Sequence, residues 1–253
     1  MLEQVAEIAA QAAIIADGRM GTAFRQWEKK PGELVCEIDL EVDAFLRERL
    51  GALDPEAGWL SEETVDASDR CERRRVWVVD PIDGTRDYLR RRPGWAVSVA
   101  LVEDRLPVLG VLAAPQREEL WTAQRGRGAR RNGDRLQASG RTALAGARVP
   151  ADQLPAADAD LVAVPKPNSI ALRIALVAAG EADLVATLKW GFEWDIAAAA
   201  LIAEEAGATI TGALGQPLAF NTSDGKAFGV LVTAPGIHAA AVERLRERAL
   251  AVV

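Results

Sequence analysis

Acids that close apolar runs are the residues of this chain most able to do chemistry. Residues 77–88 read WVVDPIDGTRDY: Trp77-Val78-Val79 lead into Asp80 and Asp83, and Gly84 and Thr85 follow. Upstream, WLSEET at 59–64 runs from an apolar pair into Glu62 and Glu63, and downstream FEWDIAAAALIAEEAGA at 192–208 puts Asp195 at the head of a helical stretch. Pro81 and Gly84 are expected to break the strand ladder after Val79, freeing the Asp80 and Asp83 carboxylates and the Ile82 carbonyl to converge. Oxygen donors of this kind suit a hard cation such as Mg2+, and one carboxylate can serve two such ions. The turn at Gly84-Thr85 would offer backbone N–H groups to a phosphate oxygen. Each cluster also has a plain structural reading, a turn for DPID and a helix cap for Asp195, so context must decide.

Composition narrows the donors. The single His238 and two separated cysteines, Cys36 and Cys71, exclude the common histidine- and cysteine-rich metal sites, so a metal here would be held by oxygen. His238 follows a Pro-Gly turn and reads as exposed or structural. A net charge of −7 gives no basic footprint for a nucleic-acid polymer, because the arginines at 73–75 and 90–92 are local runs. The N-terminus MLEQVAEIAAQAAIIADG lacks the basic region of a signal peptide, and no apolar run has membrane-spanning length. A cytoplasmic location and no membrane partner are the expectations.

The elements that must position these acids follow from periodicity. Leu2, Val5, Ile8, Ala9, Ala12, Ala13 and Ile15 recur at helical spacing up to Gly18, and Val42, Phe45, Leu46 and Leu50 make a second helical stripe over 40–50. The period then changes: 76–79, 96–102 and 109–113 are β-branched apolar runs, and Asn132-Gly133 signals a hairpin. Beyond 140, helical patterns at 168–179 and 195–206 alternate with strand candidates near 147, 161, 183, 208 and 229. An α+β half, residues 1–142, is thus expected before an α/β half, residues 143–253.

Taken together, LSEE, then WVVDPIDGTRDY with GWAVSVAL, then EWDIAAAALIAEEAGA resemble the inositol monophosphatase family of Mg2+-dependent, lithium-sensitive phosphatases. The resemblance runs from Asp39 to about Ala208 and preserves the order and spacing of the three blocks. It implies an α/β protein built as a layered αβαβα sandwich, often a homodimer. It also implies a ligand set: Glu62, Asp80 and the Ile82 carbonyl for one Mg2+, Asp80, Asp83 and Asp195 for a second, and Glu62 again for a weaker third. Thr85 with Glu62 would orient the attacking water, the Gly84 and Thr85 N–H groups would support the phosphate, and Asp39 would act near Thr85. Cys36 stands where the family usually has threonine. Ser169 is expected to cap a helix and to be a candidate substrate contact, and Glu63 to be a neighbour of Glu62, not a ligand.

Which small phosphorylated metabolite is cleaved is not carried by these motifs. LSEE and GFEWD look more like the 3'(2'),5'-bisphosphate nucleotidase branch, which converts adenosine 3',5'-bisphosphate to AMP. Leu188 falls seven residues before Asp195, where inositol enzymes of the family carry a glutamate for ring hydroxyls. Inositol-1-phosphate is the alternative, followed by histidinol phosphate and sugar bisphosphates. A silent member that binds phosphate or a partner without turnover would be expected to have lost a ligand acid, and all four acids are present.

Overall fold

The N-terminal helical pattern forms α1 (Leu2–Arg19), which passes through Gly18 and ends one residue later. A short antiparallel pair, β1 (Gln26–Lys30) and β2 (Glu33–Cys36), precedes α2 (Glu37–Leu53). Then come β3 (Gly58–Ser61), β4 (Arg75–Asp83), the short α3 (Thr85–Leu89), β5 (Ala96–Glu103), β6 (Leu106–Ala114), β7 (Glu119–Gln124), β8 (Gly128–Arg131) and β9 (Asp134–Arg135). The second half holds β10 (Arg148–Pro150), β11 (Val162–Val164), α4 (Ile170–Ala178), β12 (Leu184–Phe192), α5 (Ala197–Glu205), β13 (Thr209–Thr211), β14 (Lys226–Thr233) and α6 (His238–Leu250). This computed structural model describes residues 1–30 and 33–252.

Strand alternation dictates the layering. Strands β3 to β9 lie in chain order in one seven-stranded sheet, with β3 parallel to β4 and the other neighbours antiparallel. On β4, Trp77 and Val79 point to one face and Val76 and Val78 to the other, and all four are buried. Trp77 and Val79 join Val97, Val99 and Val111 in a core with Val5, Ala9 and Ala12 of α1 and Val42 and Leu46 of α2. Val76 and Val78 join Ala100 and Leu112 in a second core with the alanine-rich faces of α4 and α5. A strand buried on both sides must be apolar at every position, which is why 76–79 show no polar alternation.

The same logic repeats beyond α4 and α5. In the three-stranded sheet, β14 lies between β12 and β13 and is antiparallel to both. Val185, Val230 and Val232 face the α4/α5 layer. Leu184 and Leu231 face Ala241 and Leu245 of α6. The layers therefore run α1/α2, large sheet, α4/α5, small sheet, α6: an αβαβα sandwich. Residues 136–147, where the sequence suggests a boundary, contain no helix or strand, and the two halves on either side share the α4/α5 layer.

Close approach of α5 to the large sheet depends on Gly110, because a Cβ there would sit 2.7 Å from the Ala198 carbonyl oxygen and 3.2 Å from its Cα. Gly110→Ala should therefore destabilise by about 1–3 kcal/mol, as overpacking does. Gly18, inside α1 with open space around it, should behave oppositely, gaining up to about 1 kcal/mol on Gly18→Ala. Chemical denaturation of the two variants checks the pair. An unchanged midpoint for Gly110→Ala would mean that α5 can move off the sheet at no cost.

Candidate active site

Strand β4 does not stop at Val79 as the proline suggested. Its pairing with β5 places Asp80 opposite Ser98 and then, after an irregularity, Asp83 opposite Ala96. Pro81 has no N–H to offer the ladder, and the irregularity takes it and Ile82 out of register, so the strand continues past it. The Ile82 N–H folds back onto the Asp80 carboxylate at 2.9 Å. Asp80 and Asp83 are both buried.

Gly84 then makes the turn. Its φ of +98° is in the left-handed region, and a Cβ would lie 2.7 Å from the Gly94 carbonyl oxygen and 2.9 Å from the Ser169 nitrogen. Thr85 opens α3, where the helix cannot itself satisfy the first N–H groups. The Thr85 hydroxyl donates to the Ile82 carbonyl at 3.0 Å and caps nothing. That carbonyl keeps a second lone pair.

The N-terminus of α4 is aimed at Asp83. Its carboxylate accepts from the Ser169 hydroxyl at 2.5 Å, the Ala171 N–H at 2.7 Å and the Ile170 N–H at 3.3 Å. Ser169 also accepts from the Leu172 N–H, so it caps the helix as expected. The other expectation for it needs correction: Ser169 is fully buried and is not part of the cleft wall, because its hydroxyl is taken up by Asp83 and the cap. Asp195 precedes α5 without capping it. Its carboxylate accepts instead from the Phe192 N–H at 3.4 Å.

Asp80, Asp83 and Asp195 each place one carboxylate oxygen within 4.8 Å of the others. Burial and mutual repulsion oppose ionisation there. Burial, then the charges of Glu62, Asp83 and Asp195, hold Asp80 well above the usual carboxylate range. Burial raises Asp83 against the pull of its Ser169 and α4 donors, and burial with the Asp83 charge pushes Asp195 up to about 7.

Glu62 joins the same cleft from β3, its N–H bonded to the Val79 carbonyl at 3.3 Å. Glu63 is not among the cleft residues. The loop carrying Glu62 is bracketed by Asp43 of α2, which accepts from the Ser61 hydroxyl and, at 2.6 Å, from the Thr64 hydroxyl. Asp39 is buried at the start of α2, where it accepts from the Cys36 N–H at 2.7 Å, and its charge reaches Asp80. Cys36 is also buried there, and burial with the Asp39 charge pushes its thiol up to about 12.

These elements enclose a cleft of about 330 Å3. It is lined by Glu62, Asp80, Ile82, Asp83, Gly84 and Thr85 from the first half of the chain and by Thr187, Lys189, Phe192 and Asp195 from the second. Neither Trp190 nor Trp194 lines the cleft: Trp194 stacks on Phe192 at 4.3 Å, and Trp190 packs on Phe228. His238 bridges Thr233 and Thr211 and is structural.

Sequence reasoning passed over Glu193, although EWD placed it beside Asp195. Its buried carboxylate accepts from the Asn221 N–H at 2.5 Å, the Thr222 N–H at 2.8 Å and the Thr222 hydroxyl. Arg70, from the first half of the chain, is buried with it and donates to the Asn221 side chain at 2.6 Å and the Thr222 carbonyl at 2.9 Å. The Arg70–Asn221–Glu193 cluster clasps the two halves two residues from Asp195. Its signal was an acid inside an apolar stretch.

All cleft donors are oxygens, so the set fits a hard divalent cation, with Glu62 and the Ile82 carbonyl beside the three-aspartate cluster.

The sequence profile of the inositol monophosphatase family matches residues 1–253. A protein named 3'(2'),5'-bisphosphate nucleotidase CysQ from Aggregatibacter actinomycetemcomitans is 34% identical over 244 residues, covering 87% of each chain. An inositol-1-monophosphatase from Mesorhizobium japonicum is 34% identical over 205 residues, covering 72% of this chain and 73% of the relative. Among solved structures, the extragenic suppressor protein SuhB of Bartonella henselae superposes with a TM-score of 0.83 at 26% identity over 97% of this chain and 98% of the other. An IMPase of Thermotoga maritima gives 0.84 at 25% identity over 97% and 96%.

Raised carboxyl pKa values carry a sign. At these acids the folded state holds protons that the unfolded state has lost, so their contribution to metal-free stability is full at low pH and is lost as pH rises through about 7, the value for Asp195. In chelator the melting temperature should therefore drop between pH 5.5 and 8 by about as many degrees as roughly 1–2 kcal/mol produces, and saturating Mg2+ should raise it more at pH 8 than at pH 5.5. Thermal melts at the two pH values, with and without Mg2+, test this. Equal Mg2+ stabilisation at both would show that the acids are ionised without a cation.

Proposed function

The chain belongs to the inositol monophosphatase family of phosphoric monoester hydrolases, and from that premise we propose that it is a Mg2+-dependent phosphatase acting on a 3'(2'),5'-bisphosphate nucleotide. The observation that carries the reaction class is the convergence of Glu62, Asp80, Asp83 and Asp195 with the Thr85 hydroxyl on one cleft. In this reading Glu62, Asp80 and the Ile82 carbonyl hold one cation, and Asp80, Asp83 and Asp195 hold a second. When bound, such cations supply the positive charge that makes a water acidic and offsets charge on the phosphoryl and leaving oxygens.

The chain's own groups do the positioning. Glu62 faces Asp80 at the end of β3 and accepts a proton from the attacking water. Thr85, whose hydroxyl is anchored on the Ile82 carbonyl, orients that water. The Gly84–Thr85 turn presents N–H groups to the phosphate. Asp39 tightens the start of α2 and adds its charge to the field at Asp80.

Two facts favour the nucleotide as substrate. A relative matched over 87% of the chain bears that name. Leu188, at the position where inositol enzymes place a hydroxyl-binding glutamate, packs toward α6 and Phe228, so Thr187 and Lys189 take the cleft-facing places on β12. Inositol-1-phosphate is the second reading, favoured by a relative of equal identity over a shorter span. Lithium sensitivity, a homodimer and a cytoplasmic location belong to the proposal.

Phosphate release from adenosine 3',5'-bisphosphate, inositol-1-phosphate, histidinol phosphate and fructose-1,6-bisphosphate tests it. The nucleotide should give the highest kcat/KM, chelator should abolish turnover, Mg2+ should restore it, and lithium should lower it. A higher kcat/KM on inositol-1-phosphate would replace the substrate, and full activity in chelator would end the mechanism.

Asp83→Asn should cost about a hundredfold or more in rate, since the neutral amide weakens cation binding, and Glu63→Gln much less. Equal losses would undo the assignment of Glu62 over Glu63. Thr85→Ala should lower kcat with KM little changed, because orienting a nucleophile is a transition-state contribution. A normal kcat would remove Thr85 from the catalytic set.

A further inference from the structure

The cleft carries positive charges that the phosphatase chemistry does not use. Arg86, Arg173 and Lys189 line it together with the acids. Arg173 is committed, its guanidinium donating to the Pro167 carbonyl at 2.8 Å and to the Asn168 carbonyl. Lys226, at the rim, lies over the Phe192 ring at 5.9 Å. Lys189 differs from both: it is exposed, it lines the cleft, and among the described residues its ammonium group has no hydrogen-bond or ion-pair partner within reach. Its charge is felt at Asp195. Leu188 and Lys189 lie in an irregularity of β12 opposite β14, with Leu188 packed toward α6 and Lys189 lining the cleft.

A cation in this place can meet an anionic group of the substrate. On the proposed reading the reacting phosphate is held by cations on the aspartates and by the Gly84–Thr85 N–H groups, whereas Lys189 enters the cleft from β12, so a group bound by Lys189 would belong to the alcohol part of the substrate. We propose that Lys189 is a specificity-determining residue that binds a second anionic group, a phosphate or a carboxylate, carried by the alcohol that leaves. The inference deepens the proposed function and rests on its placement of the reacting phosphate, but not on the alcohol being a nucleoside. A lysine with three rotatable donors on a flexible stem suits a distal phosphate whose position varies from one alcohol to another. The neutral end of a monophosphate would gain nothing from it.

Matched substrates separate this role from a general electrostatic one. The pairs are adenosine 3',5'-bisphosphate with adenosine 3'-monophosphate, inositol 1,4-bisphosphate with inositol 1-phosphate, and fructose 1,6-bisphosphate with fructose 1-phosphate. For wild type, Lys189→Ala and Lys189→Arg at saturating Mg2+, the readout is the ratio of kcat/KM on the doubly charged substrate to that on its partner. Lys189→Ala should lower the ratio about tenfold, the size of one charge-assisted hydrogen bond in a half-open site. The loss should lie in KM, shrink as salt is raised, and be largely restored by Lys189→Arg. If Lys189 only offsets the Asp195 charge, both members of each pair fall together and the ratio stays constant; that result, or no change in either, overturns the proposal. Should the adenosine pair be poor substrates while another pair is turned over well, the nucleotide assignment fails and the ratio on that other pair still decides the role of Lys189.

Discussion

Repulsion among buried carboxylates is the constraint on which this molecule is organised. Asp80, Asp83 and Asp195 bring oxygens within 4.8 Å of one another, with Glu62 close enough to be the strongest charge acting on Asp80. Two unit charges at about 4 Å repel by about 4 kcal/mol even at an effective dielectric of about 20. A fold that holds them there must either protonate them or neutralise them, and the upward push on the Asp195 carboxyl is the pull toward protonation. A cation is the other solution. In this account the stored repulsion is what makes the site avid for divalent metal, and metal binding is linked to proton loss.

Holding the acids against that repulsion explains otherwise unrelated features. Ser169 and two N–H groups from the start of α4 fix Asp83. Asp43 grips Ser61 and Thr64 on either side of Glu62. The Glu193–Asn221–Arg70 cluster secures the approach to Asp195, whose α5 is pressed to the sheet at Gly110. A buried charged clasp is a costly way to join two halves, but breaking one partner is costlier, so it imposes one geometry where the cleft acids must meet across the αβαβα layers.

Much of this was legible in the sequence because burial leaves a pattern. The continuous apolar run 76–79 spoke for a strand covered on both faces, and the Asn132-Gly133 pair for a hairpin, which joins β8 to β9 with both residues at positive φ. The four acids that meet at the cleft were legible from the order of their blocks along the chain, since each cluster alone also reads as a turn or a cap. What was hidden depends on three-dimensional pairing. No local signal distinguishes Asp43 from any surface acid of an amphipathic helix, or ties Arg70 to a loop some 150 residues away. Pro81 misled because its missing N–H argues for a strand end, and only the irregularity opposite Ser98 and Ala96 shows that the ladder resumes. Ser169 was half right: a cap at a helix start is a local property, whereas the Asp83 carboxylate that occupies its hydroxyl comes from a distant strand.

The most direct measurement is calorimetric titration of Mg2+ into the metal-free protein at pH 7, repeated in buffers with different ionisation enthalpies. If clustered acids hold protons until a cation arrives, the observed heat must vary with the buffer, reporting net proton release on binding, and the release must shrink toward pH 8.5 as Asp195 ionises unaided. Binding whose heat is the same in every buffer would show that the carboxylates were already ionised, and that repulsion among them is not what the site is built around.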